Sequence, residues 1–173
     1  MEKNKVYQGD CLKLINQVDD ESIDLIVCDG PFGVTGNSWD KIANIQGKFS
    51  KTKFNEDGKN PGDVWGDIKQ LTYKSKELIS RDFLNTIQKP MKLIERIVQA
   101  SSKEGDVVLD PFAGVGTTFV VCKEIRRNFI GFEINPDFIA VCNKRIREAN
   151  PRQEGALFEW GSLLGSEEIA VLK

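Results

Sequence analysis

Apolar positions along the chain fall into two kinds of segment. Short runs, "KVYQGD" entering a turn at Gly9, "IDLIVC" rich in branched residues, "GDVVLD" and "FIGFEI", are too brief for helices. Such runs predict buried strands of a parallel sheet. Longer segments carry apolar residues at helical spacing: "CLKLINQV", "KPMKLIERIVQASS", "TTFVVCKEIRRN" and "PDFIAVCNKRIREAN". In the second of these, Leu93, Ile94, Ile97 and Val98 share one face, and Pro90 suits a first helical position. Asp10 and Asn135 stand where N-caps belong. From about Gly33 to Gln88 the pattern dissolves into Gly, Asn, Lys and Asp, with "NEDGKNPGD" the clearest loop, and the tail from Pro151 is weakly patterned. Strands alternating with helices predict an α/β fold, a parallel sheet covered by helices on both faces.

Length and composition narrow this picture. A chain of 173 residues suffices for one such domain and is short for two. Its 40% apolar and 29% charged content is that of a soluble globular protein. No apolar run approaches the roughly 18 residues of a membrane span, and the start "MEKNKVYQGD" lacks the apolar core of a signal peptide. The expectation is a cytoplasmic protein with no membrane partner. Cysteines 11, 28, 122 and 142 lie far apart without a CxxC pair, as reduced structural thiols do. The chain has no histidine, which excludes His-based triads and His-ligated metals. The net charge of −2 hides an asymmetry: residues 41–96 carry 12 Lys or Arg against 7 Asp or Glu. That basic centre suits phosphate contact as well as it suits a solvated loop.

The segment "LDPFAGVGTT" joins a strand to a helix, the place where an open α/β sheet binds its ligand. Gly114 and Gly116 allow close approach to the backbone, and the following helix start offers free N–H groups to an anion. Glu133 ends the next strand, 23 residues after Asp110, a spacing suited to a carboxylate on ribose hydroxyls. A dinucleotide fits less well, because "GVGTT" lacks the third glycine of the fingerprint and Asp110 would oppose a pyrophosphate. S-adenosyl-L-methionine, with an amino group, a sulfonium, a carboxylate and a ribose, matches these groups. A plain structural turn remains open on the loop's sequence alone.

"DPFAGVGTT" followed by "NFIGFEINPDFI" resembles the cofactor half of DNA amino-methyltransferases, which methylate adenine N6 or cytosine N4. "GDCLKLI" with "IDLIVCDGPFGVTGNSWDK" resembles their catalytic half, whose hallmark is Asp-Pro-Pro-Tyr at a strand end. The catalytic motif comes first, as in the permuted β group, and "NPGDVW" and "IQKPMKLIERIVQASSKEGDVVLDP" are similar to the segment before that group's cofactor loop. The resemblance covers roughly residues 5–40 and 60–148.

The resemblance implies a Rossmann-like S-adenosylmethionine-dependent methyltransferase sheet, minimal or incomplete, in a single domain over residues 1–173. Residues 1–40 would form the catalytic half, 41–88 an irregular basic loop region, 89–148 the cofactor half and 149–173 a tail. The cofactor would lie over Asp110, Phe112, Ala113, Gly114, Gly116 and Thr117, with Glu133 on its ribose, Asp10 near its adenine and Lys89 bordering its methionine end. An exocyclic amine is a poor nucleophile because its lone pair is delocalised into the ring. Asp29 would accept one amine hydrogen and the carbonyl of Gly30 the other, Pro31 follows in the motif, and Phe32 would stack on the flipped base. Lys48, Lys51 and Lys53 would meet DNA phosphates.

Two departures matter. The motif here is Asp-Gly-Pro-Phe, so the acceptor carbonyl loses the rigidity of Pro-Pro. A long segment between the catalytic motif and "NPGDVW" is also replaced by about twenty residues, which would leave the catalytic strand at a sheet edge. A homodimer or a partner subunit would complete the sheet. The alternatives are an impaired remnant binding S-adenosylmethionine or DNA, one part of a split methyltransferase, and methylation of an amine in RNA, protein or a small molecule.

Overall fold

The computed structural model describes residues 1–29, 67–69, 71–72, 74–79 and 88–152. The chain divides into two compact units, Met1–Cys28 with Asp67–Lys173, and Asp29–Gly66; of the second, Asp29 is the one described residue. The first unit contains strands β1 (Lys5–Gln8), β2 (Leu25–Ile26), β3 (Val107–Asp110) and β4 (Asn128–Glu133), and helices α1 (Cys11–Leu14), α2 (Met91–Ser101), α3 (Thr117–Glu124) and α4 (Pro136–Glu148). A short 3-10 turn, Ile15–Gln17, extends α1. The strands form one sheet in the order β1-β4-β3-β2, every pair parallel. The predicted α/β architecture is present, with α2, α3 and α4 packed on one face and α1 on the other.

Two-residue alternation sorts the core. Val107, Leu109, Ile130 and Phe132 pack with Cys11, Leu14, Val18 and Ile23 on the α1 face. Val108 and Phe129 point the other way, into the larger cluster with Ile94, Val98, Phe119, Val121, Cys122, Ile125 and Cys142. Phe119 is fully buried, worth about 2–3 kcal/mol of apolar transfer, and its ring stacks on Phe129 at 4.9 Å. It lies so close over β4 that a Cβ at Gly131 would come within 2.1 Å of Phe119 Cζ. Gly131 is therefore a packing residue.

Three local readings shift. β2 was expected across "IDLIVC" but pairs over two residues, with Asp24 N donating to the Val107 carbonyl (3.0 Å) and Val27 N to the Leu109 carbonyl (2.9 Å) on either side. It stands at the end of the strand order and has a sheet partner on one side among the described residues. Pro90 is the cap of α2 and Met91 its first residue, one position later than expected. A proline cap has no side-chain acceptor, so the Met91 N–H donates to Glu77 Oε2 (3.1 Å), a carboxylate 14 residues upstream in the chain. The apolar stripe of α2 also shares its buried surface with Glu95 and Arg96.

Both buried charges of α2 are paired. Arg96 makes a bidentate contact with Asp67 (3.2 and 2.7 Å), and Lys92 joins the same carboxylate at 2.7 Å. These hydrogen bonds, Arg96 first and Lys92 second, hold the Asp67 carboxyl down at about 2. Arg152, in the tail left unassigned by the sequence, grips Glu95 (2.5 and 3.1 Å) and Glu124 (2.9 Å), while its backbone N–H donates to the Glu124 carbonyl (2.9 Å). One guanidinium thus ties α2, α3 and the segment after α4 together. Among the described residues no helix is long and apolar enough to cross a membrane.

Candidate functional site

The site grows from the C-terminal ends of the parallel strands. Four buried residues, Val107–Asp110, bring Asp110 to the sheet rim at 5% exposure. Its carboxylate closes the following loop: Oδ1 accepts from Phe112 N (3.0 Å) and Oδ2 from Thr118 Oγ1 (2.6 Å). The turn itself needs left-handed backbone, supplied by Gly114 at φ 52° and Gly116 at φ 79°. The two glycines serve different ends. A Cβ on Gly114 would come no closer than 3.9 Å to any described atom, the Phe112 carbonyl oxygen, so no described side chain crowds it. A Cβ on Gly116 would strike Cys142 Sγ at 2.3 Å, because α4 crosses the start of α3 there. Gly114 leaves room for a ligand, and Gly116 leaves room for a helix.

Glu133 fastens the loop to the next strand. Its Oε2 accepts from Gly114 N (2.7 Å) and its Oε1 from Asn135 N (2.8 Å), while Ala113 N donates to the Phe132 carbonyl (2.8 Å). Each carboxylate oxygen can accept two hydrogen bonds, so one lone pair on each is left for ligand hydroxyls. β1 joins the same corner, where Gly9 N donates to the Glu133 carbonyl (2.9 Å). Asp10 then caps α1, its Oδ1 accepting from Leu12 N (2.9 Å). Asn135 caps α4 as expected, accepting from Asp137 N at 2.9 Å.

The helix start after the loop is undersatisfied. Gly116, the cap of α3, has no side chain, and the backbone N–H groups of Thr117, Thr118 and Phe119 find no acceptor among the described residues. All three residues are buried. Buried donors left unpaired cost about 1–3 kcal/mol each, and at a helix N-terminus they attract an anion.

Of the expected site residues, the structure brings together Asp10, Asp110, Phe112, Ala113, Gly114, Gly116, Thr117 and Glu133 around these strand ends, with Phe112 39% exposed. Lys89 stands half-buried at the entry to α2. Gly30, Pro31, Phe32, Lys48, Lys51 and Lys53 lie outside the described residues. Asp29 is exposed and begins the second unit.

Sequence reading passed over two neighbours. Ile134, directly after Glu133, is an aliphatic side chain left 62% exposed beside the site. Arg145 of α4 reaches back to the loop, Nη1 donating to the Val115 carbonyl (2.6 Å) and to Thr117 Oγ1 (3.2 Å). Burial depresses its basicity. Its signal was a charge on the apolar stripe of α4, between Cys142 and Ile146, which pack into the core. The same burial pushes the Cys122 and Cys142 thiols up to about 12. Cys28, by contrast, is exposed.

Residues 35–144 match the DNA methylase family N6_N4_Mtase, a span of well over half the chain. The chain belongs to this family. The methylase match takes in Lys89, the loop after β3, Glu133 and residues of α4 up to 144; Asp10 and the Asp29–Phe32 motif precede it. The type II methyltransferase M2.DpnII of Streptococcus pneumoniae is 40% identical over 111 residues, which is 64% of this chain and 40% of that protein. The type II methyltransferase M.BamHI of Bacillus amyloliquefaciens is 45% identical over 123 residues, 71% of this chain and 28% of that protein. Among solved structures, the M1.HpyAVI–SAM complex is 42% identical with a TM-score of 0.34, over 34% of this chain and 29% of that one. This methylase chain thus spans 40% or less of the length of the two curated relatives.

Proposed function

We propose that the chain carries out S-adenosylmethionine-dependent methylation of an exocyclic base amine in DNA, adenine N6 or cytosine N4. The observation that carries this reading is the set of amides at Thr117, Thr118 and Phe119 that find no acceptor among the described residues, beside the uncrowded Gly114, in a chain of the DNA methylase family. The donor set fits the cofactor: the α3 amides suit its carboxylate, the remaining lone pairs of Glu133 suit its ribose, and exposed Phe112 and Ile134 offer apolar surface to its adenine. Bound there, S-adenosylmethionine supplies an electrophilic methyl whose bond to sulfur breaks as a bond to nitrogen forms, leaving a thioether.

The chain's own residues prepare the amine. Asp29 accepts one amine hydrogen and takes up the proton released, the Gly30 carbonyl accepts the other, and both draw the lone pair out of the ring. Phe32 stacks on the flipped base, and Pro31 restrains the turn that carries it. Lys48, Lys51 and Lys53 contact phosphates, so binding to DNA is salt-dependent and weakly selective. The proposed location is the cytoplasm.

A second chain completes the enzyme, either another copy or a separate subunit. This is favoured by the end position of the two-residue β2, the 59% exposure of Ile26 on it, and the greater length of the relatives. Transfer of labelled methyl from S-adenosylmethionine to unmethylated DNA is the test, with RNA and protein offered in parallel. Transfer to DNA that Asp29→Ala abolishes, with cofactor affinity held within a few fold, supports the reading. No transfer by the chain at any concentration, alone or with any subunit found to be encoded beside it, overturns it.

A further inference from the structure

Arg145 of α4 is a half-buried guanidinium that makes no ion pair among the described residues. Two other buried or half-buried arginines have carboxylates, Arg96 with Asp67 and Arg152 with Glu95 and Glu124, whereas Arg127 donates to Ser102 and to the Ile125 carbonyl. Arg145 spends Nη1 on a carbonyl and a hydroxyl, and no carboxylate stands within salt-bridge distance of it among the described residues. The charges of Glu77 and Glu124 support it from beyond ion-pair distance, and a ligand anion beside it would supply a further counter-charge.

Its two acceptors say where that charge would be. Both belong to the corner that delivers the unpaired amides, Val115 just before Gly116 and Thr117 at the first position of α3. A guanidinium can only donate, so Thr117 Oγ1 is the acceptor of that bond and its proton must go elsewhere. Thr117 is 7% exposed, yet its hydroxyl proton finds no acceptor among the described residues. Its neighbour shows the contrast: Thr118 Oγ1 donates to Asp110 Oδ2 at 2.6 Å. The α3 start therefore presents a hydroxyl donor and three amide donors, backed by a positive charge.

We propose that Arg145 is a positioning residue for the carboxylate end of the ligand: it fixes the Val115–Thr117 corner and commits the Thr117 hydroxyl to donating toward an anion. The inference rests on the cofactor reading above, in which that anion is the methionine carboxylate. Arg145 does not touch the ligand; it acts through Thr117 and through the field it sets up at the head of α3.

The experiment compares two probes that differ at that end. S-adenosylmethionine carries the carboxylate, and 5′-methylthioadenosine keeps the adenosine and the sulfur without the amino-acid end. Calorimetry on the wild type, Arg145→Met, Arg145→Lys and Thr117→Val, with melting curves for each, gives the affinities. Arg145→Met should weaken S-adenosylmethionine about tenfold, as loss of charge-assisted donation does, and leave 5′-methylthioadenosine within twofold. Arg145→Lys should recover part of the loss, and Thr117→Val should repeat the selective loss. Adding Arg145→Met to Thr117→Val should then cost little more. Equal weakening of both probes, or no weakening, overturns the inference while leaving the cofactor reading intact. If Arg145→Met does not fold, Thr117→Val decides on the same criterion. A folded wild type that binds neither probe overturns the cofactor reading and this inference with it.

Discussion

Two strand ends of the same sheet are built to different standards. At the end of β3, the loop to α3 is held by Asp110, Glu133, Arg145 and the Phe132 carbonyl, each through hydrogen bonds of 3.2 Å or less. At the end of β2, two residues ladder onto β3, Ile26 is 59% exposed, and Cys28 stands in solvent. The first end is over-determined by partners from three elements, so each local choice supports the next. Among the described residues, β2 pairs with one neighbour. The difference separates the two tasks of the proposed function: the groups proposed to hold the cofactor lie within this unit, whereas the strand that leads to Asp29 is the part that a second chain would steady.

The largest test of that contrast is packing. Gly131→Ala sets a Cβ against the buried Phe119 ring, and overpacking there should cost about 3 kcal/mol or more, because the clash is with a ring stacked on Phe129. Ile26→Lys on β2 should change the stability of the isolated chain by no more than about 0.5 kcal/mol. Urea melts of both variants check the pair; a large loss at Ile26 would mean that the β2 edge is already covered. Ile26→Lys should, however, abolish any complex with a second chain, which sedimentation would detect.

An intermediate effect is expected at Glu133. Glu133→Gln keeps the shape but turns one acceptor into a donor facing Gly114 N or Asn135 N, leaving a backbone amide unpaired at about 1–3 kcal/mol. Stability and S-adenosylmethionine affinity should fall together, since the same side chain shapes the loop and, in the proposed function, meets the ribose. Loss of affinity with no loss of stability would assign Glu133 to the ligand alone.

The smallest effect is chemical. Thiols raised to about 12 by burial are almost wholly protonated at pH 8, so Cys122 and Cys142 should resist alkylation in the native protein, while exposed Cys28 reacts. Labelling followed by peptide mapping reads this directly. Modification of Cys142 at a rate close to that of Cys28 would show that α4 opens away from Gly116.

Much of this was legible in the residues. The alternation of short branched runs with amphipathic helices specifies a parallel α/β sheet, because only a strand buried on both faces tolerates "DVVLD" and only a helix tolerates the spacing in "PDFIAVCNKRIREAN". The candidate loop was legible for a similar reason: a strand end, two glycines and a helix start are local features. The same local chemistry announced the caps at Asp10 and Asn135.

Other features needed the fold. Gly114 and Gly116 read alike in the sequence, and only the crossing of α4 at Cys142 shows that a helix packs against one and not the other. Glu133 promised a ligand contact, but that it also carries the Gly114 and Asn135 amides depends on β4 lying beside β3. Arg145, Arg152 and Glu77 act across 28, 57 and 14 residues of chain respectively. Periodicity reports which face of an element is apolar; it says nothing of which distant charge or amide that element will meet. That pairing is set when the helices pack over the sheet, since only then does desolvation force each buried polar group to find a partner.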